Sequence, residues 1–237
     1  QLPGKSLSHF SFQLRLGSTI KWLEQFATIL GRLQQEVPQP NRFAGMLEEA
    51  ATLALQLRTC IADQLPLLRP YADKAESGSA DGATLQYVFM RGEVPQELRE
   101  LFDTISVDCA ALAARLAKVN DILKASLEDD NGEVERALAE QWFPLFGSAQ
   151  LRVEAAAYCC LHLSRADDAG TVPQARWLTF REFGNEMEIT AFTSPVLAAG
   201  SLQDHLWQSC FAAVLTSATL TTLGSFDFLR KRCGLPE

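Results

Sequence analysis

The sequence lacks several features by which common classes of protein are recognised. Its six cysteines form no C-x-x-C pair and no zinc-finger spacing, and it holds only three histidines, so we predict no metal site and expect all six thiols to be buried and reduced. No apolar run approaches the roughly 20 residues that cross a bilayer, and we therefore expect no membrane partner. The chain also has no G-x-x-x-x-G-K-[ST] loop and no acidic box, which argues against ATP or magnesium binding by these residues alone.

What is present is ordinary globular composition with an uneven charge. Hydrophobic residues make up 47% and charged residues 21% of the 237, with a formal net charge of -8, which excludes disorder and argues against uniform coating of duplex DNA. Residues 1–60 hold six basic and four acidic side chains, whereas residues 91–140 hold six and twelve. A phosphate backbone is therefore expected nearer to the first helices than to residues 91–140.

Apolar residues at three- and four-residue spacing predict long helices through the first two thirds of the chain. The polar, Gly/Ser-rich residues 74–83 predict a mobile loop. Pro66 predicts a frayed or kinked helix end, and Pro144 predicts an interruption of the fourth helix. Because each helix has a stripe that needs burial, an intramolecular bundle is favoured over a dimeric coiled coil. The expected helices cover Leu16–Leu33, Phe43–Leu68, Leu98–Leu123 and the stretch from Asn131-Gly132 towards Gly170.

The pattern changes after Pro173. Alternating residues on both sides of Gly184-Asn185 predict a β-hairpin, and Ser201 could cap a short helix that reaches Gln208. The apolar run 212–215 then predicts a strand. We expect a mainly α fold, a long-helix bundle with a small β-hairpin and a partial α/β segment at the C-terminal end.

The segment Val214–Leu220, VLTSATL, is the most informative for function. It places the hydroxyl residues Thr216, Ser217 and Thr219 at the end of the expected strand, where ligands and catalytic groups gather in open α/β sheets. A strand end closed by a Ser/Thr turn is the alternative interpretation.

In this segment the sequence resembles a known family. Thr216-Ser217-Ala218-Thr219-Leu220, followed by Phe226 and by Arg232-Cys233-Gly234-Leu235, resembles helicase motif III of the DinG branch of the XPD-like superfamily-two DNA helicases. Gln1-Leu2-Pro3 is similar to the chain leaving that family's acidic box, and Leu206-Trp207 suits the pattern. The long helical stretch ahead of motif III would correspond to the family's Arch domain.

The resemblance implies that this chain is a piece of a longer enzyme, as does its start at Gln1 without Met. Residues 1–15 would leave the first RecA-like motor domain, residues 16–172 would form the Arch, and residues 173–237 would contain the hairpin and the return into the motor. The parent would use ATP and magnesium to move 5′ to 3′ along single-stranded DNA in DNA repair. It would work in the bacterial cytoplasm at the nucleoid.

The resemblance also implies roles for residues and partners. Thr216, Ser217, Ala218 and Thr219 would form the coupling motif between ATP hydrolysis and unwinding, without acting as nucleophiles. An iron–sulfur cluster is expected in the parent, outside this piece. The partners would be single-stranded DNA and the remaining motor and iron–sulfur domains. The isolated chain would be inactive and could form a non-biological dimer through its motor-side edge.

Other candidate residues leave alternatives open. Trp22, Arg32 and Arg42 could contact DNA beneath the Arch, although Trp22 also suits a core or rim aromatic; no individual DNA contact is assigned. The basic run Arg230–Arg232 suits a phosphate or a helix C-terminus equally. A non-enzymatic helical module that docks a protein partner is the alternative function.

Overall fold

Four long helices are the main elements of the described chain in this computed structural model. The structure describes residues 11–38, 41–77, 83–129, 132–168, 174–184, 186–197, 199–216 and 224–235. The helices are α1 (Leu16–Glu36), α2 (Arg42–Leu68), α3 (Gln96–Glu128) and α4 (Arg136–Ser164). The four predicted helices are thereby confirmed, but the fourth begins at Arg136 and not at Gly132, and it ends at Ser164, before Gly170.

Each long helix buries the apolar stripe that its sequence predicts. Asn41 caps α2, because its Oδ1 accepts a hydrogen bond of 2.8 Å from the amide of Phe43. Pro95 directly precedes α3, a position where its missing amide leaves no helical hydrogen bond unmade. The largest fully buried side chains are Trp142, Phe26, Phe43, Phe102, Phe146 and Phe180.

The two prolines inside helices behave differently from the prediction at one position. Pro66 lies two residues before the end of α2, as expected for a frayed end. Pro144 does not interrupt α4, which is continuous around it. The buried side chains of Trp142 and Phe146 on either side of Pro144 offset the missing hydrogen bond, whose loss costs about 3 kcal/mol in an exposed helix.

A five-stranded antiparallel sheet packs against the helices. Its strands are β1 (Phe12–Arg15), β2 (Glu76–Ser77), β3 (Thr84–Val88), β4 (Gln174–Phe183) and β5 (Glu186–Pro195), in the order β1-β5-β4-β3-β2. The predicted hairpin is confirmed as β4 and β5, with Gly184 at φ +61 in their turn, a conformation that glycine adopts at little cost. Strand β2 lies within the segment predicted as a mobile loop.

The chain divides into two compact units. One contains Phe12–Ala166 and Arg176–Thr193, and therefore the four helices, β1 and most of the hairpin. The other contains the described residues among 1–11, 167–175 and 194–237, including the short helices α5 (Ala199–His205) and α6 (Asp227–Cys233). The assignment of residues 1–15, 16–172 and 173–237 to helicase domains stays a prediction.

The strand predicted over residues 212–215 does not form. Residues 212–216 have no regular secondary structure, and Phe211 and Val214 are almost completely exposed. A buried strand needs hydrogen-bonding neighbours at its edges, and the described sheet offers none to this segment. Among the described residues, no helix has the length and apolar character needed to cross a membrane.

Candidate functional site

The hydroxyl motif falls at the limit of the described chain. Thr216 is exposed and lies in the irregular segment that follows Cys210. Ser217, Ala218 and Thr219 lie outside the described residues. The role of these four residues therefore stays a prediction.

Trp22 is a rim aromatic that is capped by an arginine. Its half-buried ring stacks on buried Phe26 with centroids 5.1 Å apart, and the guanidinium of Arg152 lies 4.4 Å above the ring. Burial lowers the pKa of Arg152. The sequence did not identify Arg152, because its partner lies on a helix more than one hundred residues earlier.

The other two predicted DNA contacts do not join Trp22 in one site. Arg32 is exposed on the same helix, and ten residues of helix separate the two positions by about 15 Å. Arg42 begins the next helix, where its Nη1 lies 3.9 Å from a carboxylate oxygen of Glu133. Whether Trp22, Arg32 and Arg42 contact DNA stays a prediction.

The cysteines are free thiols in several environments. Cys109, Cys159 and Cys160 are completely buried in the helical core, where burial raises the pKa of each thiol, that of Cys109 to about 12. Cys159 Sγ donates to the carbonyl of Ala191 at 3.6 Å. Cys210, in contrast, is exposed, which corrects the expectation that all six thiols are buried.

No described cluster of three or more His, Cys, Asp or Glu side chains is arranged to hold a metal ion.

A cleft beside the hairpin turn is acidic. It has a volume of about 600 Å³, and its lining includes Arg69, Asp73, Glu182, Glu186 and Met187. Three carboxylates against one guanidinium repel phosphate groups. This cleft is therefore unsuited to a nucleotide.

Two side chains fix the hairpin to the helices. Buried Arg176 on β4 donates to the carbonyls of His162, Gly92 and Arg165. Glu188 on β5 accepts hydrogen bonds from the backbone amides of Gly17 and Ser18 at the start of α1. Sequence analysis missed both, because their partners are distant along the chain.

The C-terminal unit exposes apolar side chains. Among its large hydrophobic residues, Val196, Leu206, Phe211, Val214, Phe226 and Phe228 are exposed by 40% or more. Inside the unit, the indole N–H of Trp207 on the turn after α5 donates to the carbonyl of Cys233 on α6. Six large apolar side chains among the described residues of this unit therefore face solvent.

Comparison with known proteins gives one consistent group of relatives. The chain is 25% identical over 240 residues to the ATP-dependent DNA helicase DinG of Photobacterium profundum, and the match covers 100% of this chain but 32% of the relative. This chain is a distant homologue of part of DinG. The DinG proteins of Escherichia coli K12 and Shigella flexneri are each 24% identical over 156 residues, which is 66% of this chain and 21% of each relative. No family model matches the chain.

Proposed function

We propose that this chain is the Arch-type helical lobe and adjoining motif III segment of a bacterial ATP-dependent DNA helicase of the DinG type. The observation that carries the proposal is the match to DinG over the whole length of this chain. The lobe would guide single-stranded DNA, and Thr216, Ser217, Ala218 and Thr219 would couple ATP hydrolysis to unwinding. The parent enzyme would act in DNA repair at the nucleoid.

The architecture supports a lobe inserted into a larger domain. The helical unit begins at Phe12 and its last strand segment ends at Thr193, and these two residues are paired between neighbouring strands. The exposed apolar residues of the C-terminal unit are consistent with a segment that is covered by other parts of the parent. The same surface would explain the predicted association of isolated chains.

The cofactors of the parent would bind outside this chain. No phosphate-binding loop occurs in the sequence, and the cleft beside the hairpin turn is acidic. ATP, magnesium and any iron–sulfur cluster therefore belong to the remaining two thirds of a DinG-sized protein in this proposal. The isolated chain should show no ATPase activity and at most weak, salt-sensitive binding of single strands.

Substitution within motif III tests the coupling role. In the longer protein, Thr219→Ala should leave ATP binding unchanged and lower DNA-stimulated unwinding severalfold, because the hydroxyl orients neighbouring groups without binding nucleotide. ATP binding is measured by equilibrium titration, and unwinding by strand displacement. Thr221→Ala is the matched control, since it removes a hydroxyl two residues beyond the motif. Unchanged unwinding by Thr219→Ala would contradict the coupling role.

The exposed apolar surface of the C-terminal unit also favours a second candidate, a helical module that docks a protein partner. The coding sequence upstream of Gln1 separates the two functions. A phosphate-loop lysine followed by a DExH box would support the helicase, whereas a reading frame without either would remove it.

A further inference from the structure

The sheet of the helical unit has one covered face and one face that is partly open. Leu14, Leu178, Phe180, Ile189 and Ala191 point into the helical core and are almost completely buried. Neighbouring residues along a strand point to opposite faces. The residues between them therefore define a second face, which we call the outer sheet face.

Strand register identifies the members of the outer sheet face. Trp177 on β4 is paired with Val88 on β3, and Phe192 on β5 is paired with Gln13 on β1. Paired residues of antiparallel strands share a face. Gln13 is exposed and Val88 is 59% exposed, so the four long helices do not cover these two positions.

A stacked aromatic pair lies at the centre of the outer sheet face. The rings of Trp177 and Phe192 are stacked, with centroids 4.9 Å apart and nearly parallel planes at an interplanar angle of 3°. Both side chains are only half-buried. An open antiparallel face normally carries polar residues, so a half-exposed aromatic pair requires a reason other than core packing.

Two arginines lie on the same face. Arg15 is paired with Thr190 between β1 and β5, and Arg181 is paired with Thr84 between β4 and β3. Both are exposed, and neither forms an ion pair within the described residues. Arg181 lies 4.8 Å above the ring of Phe183, which leaves its charge available.

The carboxylates of this face offset the arginines only in part. Glu188 lies two residues from Thr190 and so shares its face, but its carboxylate accepts hydrogen bonds from the amides of Gly17 and Ser18 and from the Ser18 hydroxyl. Glu76 on the edge strand β2 is paired with Gln86, beyond β3. Glu186, two residues before Glu188, shares the face and is paired with Lys21 at 2.5 Å. Apart from Glu76, the face therefore holds Arg15, Arg181 and Lys21 against Glu186 and Glu188, which leaves a small positive net charge.

We propose that the outer sheet face binds single-stranded DNA, with bases stacked against Trp177 and Phe192 and phosphates held by Arg15 and Arg181. The inference rests on the proposed helicase function and assigns the DNA contacts that sequence analysis left open. Known single-strand binders combine aromatic stacking with a positive surface in this way, and some use an open sheet face for it. Duplex DNA would not fit, because its bases are already stacked on each other.

The test measures binding of the full 237-residue chain to two labelled 15-mers by fluorescence anisotropy over a range of salt concentrations. One is oligo-dT, and the other has the same backbone with abasic sites at every position. Trp177→Leu keeps an apolar side chain but removes the aromatic ring. The double variant Arg15→Gln, Arg181→Gln removes two exposed charges. The double variant Lys118→Gln, Lys124→Gln, which removes two exposed charges from α3, is the matched control.

Specific results are expected for each variant. Trp177→Leu should weaken oligo-dT binding by at least about fivefold, the lower bound for loss of one stacked base, and leave abasic binding unchanged. The double arginine variant should weaken both ligands and reduce the slope of log affinity against log salt by about 1.4, which is about 0.7 for each phosphate. The Lys118→Gln, Lys124→Gln variant should bind both ligands like the unaltered chain.

The outcomes separate this inference from the function on which it rests. If the chain binds oligo-dT but the Trp177 and arginine variants bind it equally well, the outer sheet face is not the DNA site and the helicase proposal survives. Equal loss of abasic and oligo-dT binding in Trp177→Leu would also overturn base stacking. Circular dichroism verifies folding, and the double arginine variant, altered only at exposed positions, keeps the test decisive if Trp177→Leu unfolds.

Discussion

Removal of the buried arginine in the hairpin should cost more stability than any exposed substitution on the same strand. Arg176 is 3% exposed. Its Nε donates to the carbonyl of His162 at 2.6 Å, its Nη1 to Gly92 at 2.9 Å, and its Nη2 to Arg165 at 3.1 Å. The chain therefore joins three segments through one side chain.

The size of the stability loss follows from the three carbonyl groups that Arg176→Ala would leave without their hydrogen-bond donor. A hydrogen bond to a charged donor contributes about 1.5–3 kcal/mol, and three such bonds that share one donor are not additive. His162 lies in the last turn of α4 and Arg165 follows it, where carbonyls have no helical partner and favour a positive charge. We therefore expect Arg176→Ala to lower the free energy of unfolding by about 3–5 kcal/mol.

Urea denaturation monitored by tryptophan fluorescence measures this change. Arg176→Lys should lower the free energy of unfolding by about half as much as Arg176→Ala, because an ammonium group cannot reach three divergent carbonyls as a planar guanidinium does. Arg181→Ala is the control, five residues along the same strand and exposed, and should change stability by about 0.5 kcal/mol or less. A loss below about 1 kcal/mol in Arg176→Ala, with an unchanged denaturant slope, would refute the reasoning.

Two further predictions concern the start of α1 and the thiols. Glu188 accepts hydrogen bonds from Gly17 N at 2.8 Å and from Ser18 N at 2.9 Å. Glu188→Ala should therefore lower the free energy of unfolding by about 1–2 kcal/mol, because the amides at the start of the helix lose this cap. Glu182→Ala on the same hairpin is the control, and equal unfolding midpoints for the two variants would contradict the cap. Burial and the hydrogen bond to Asp108 raise the pKa of Cys60 to about 11. Because the thiolate is the reactive form, a thiol reagent at pH 8 should label exposed Cys210 before Cys60, and the rate of labelling at Cys60 should increase as the pH rises. Cys210→Ser should abolish the fast phase of labelling, and a fast phase that persists would contradict this assignment.

The helices could be predicted because their information is local. Each apolar stripe recurs every three or four residues, and the capping Asn41 and the leading Pro95 mark helix starts in the sequence itself. The prediction that Pro144 interrupts the helix was wrong because it considered only the local effect of proline. The burial of the neighbouring side chains in α4 depends on helices elsewhere in the chain. Local signals therefore identified the elements but not the balance between strain and packing.

The sheet and its face were harder to predict because their contacts are distant in sequence. Strand β3 pairs with β4 about ninety residues later, and β1 with β5 about one hundred and eighty residues later. The β4–β5 hairpin has its partner nearby and was predicted. The other local pairing, of β2 with β3, was missed because its first strand lies in the Gly/Ser-rich segment predicted as a loop. Trp177, Phe192 and the two arginines become one surface only through those pairings, so sequence analysis had no signal that joined them.

The pairing of Phe12 with Thr193 has a mechanical consequence. Strands β1 and β5 run antiparallel, so the points at which the chain first enters and finally leaves the helical unit are hydrogen-bonding neighbours. Tension applied at those two points would open the ladder one bond at a time from its end, instead of shearing all its bonds together. The β1–β5 ladder should therefore separate at a small force, whereas the buried helical bundle should resist deformation.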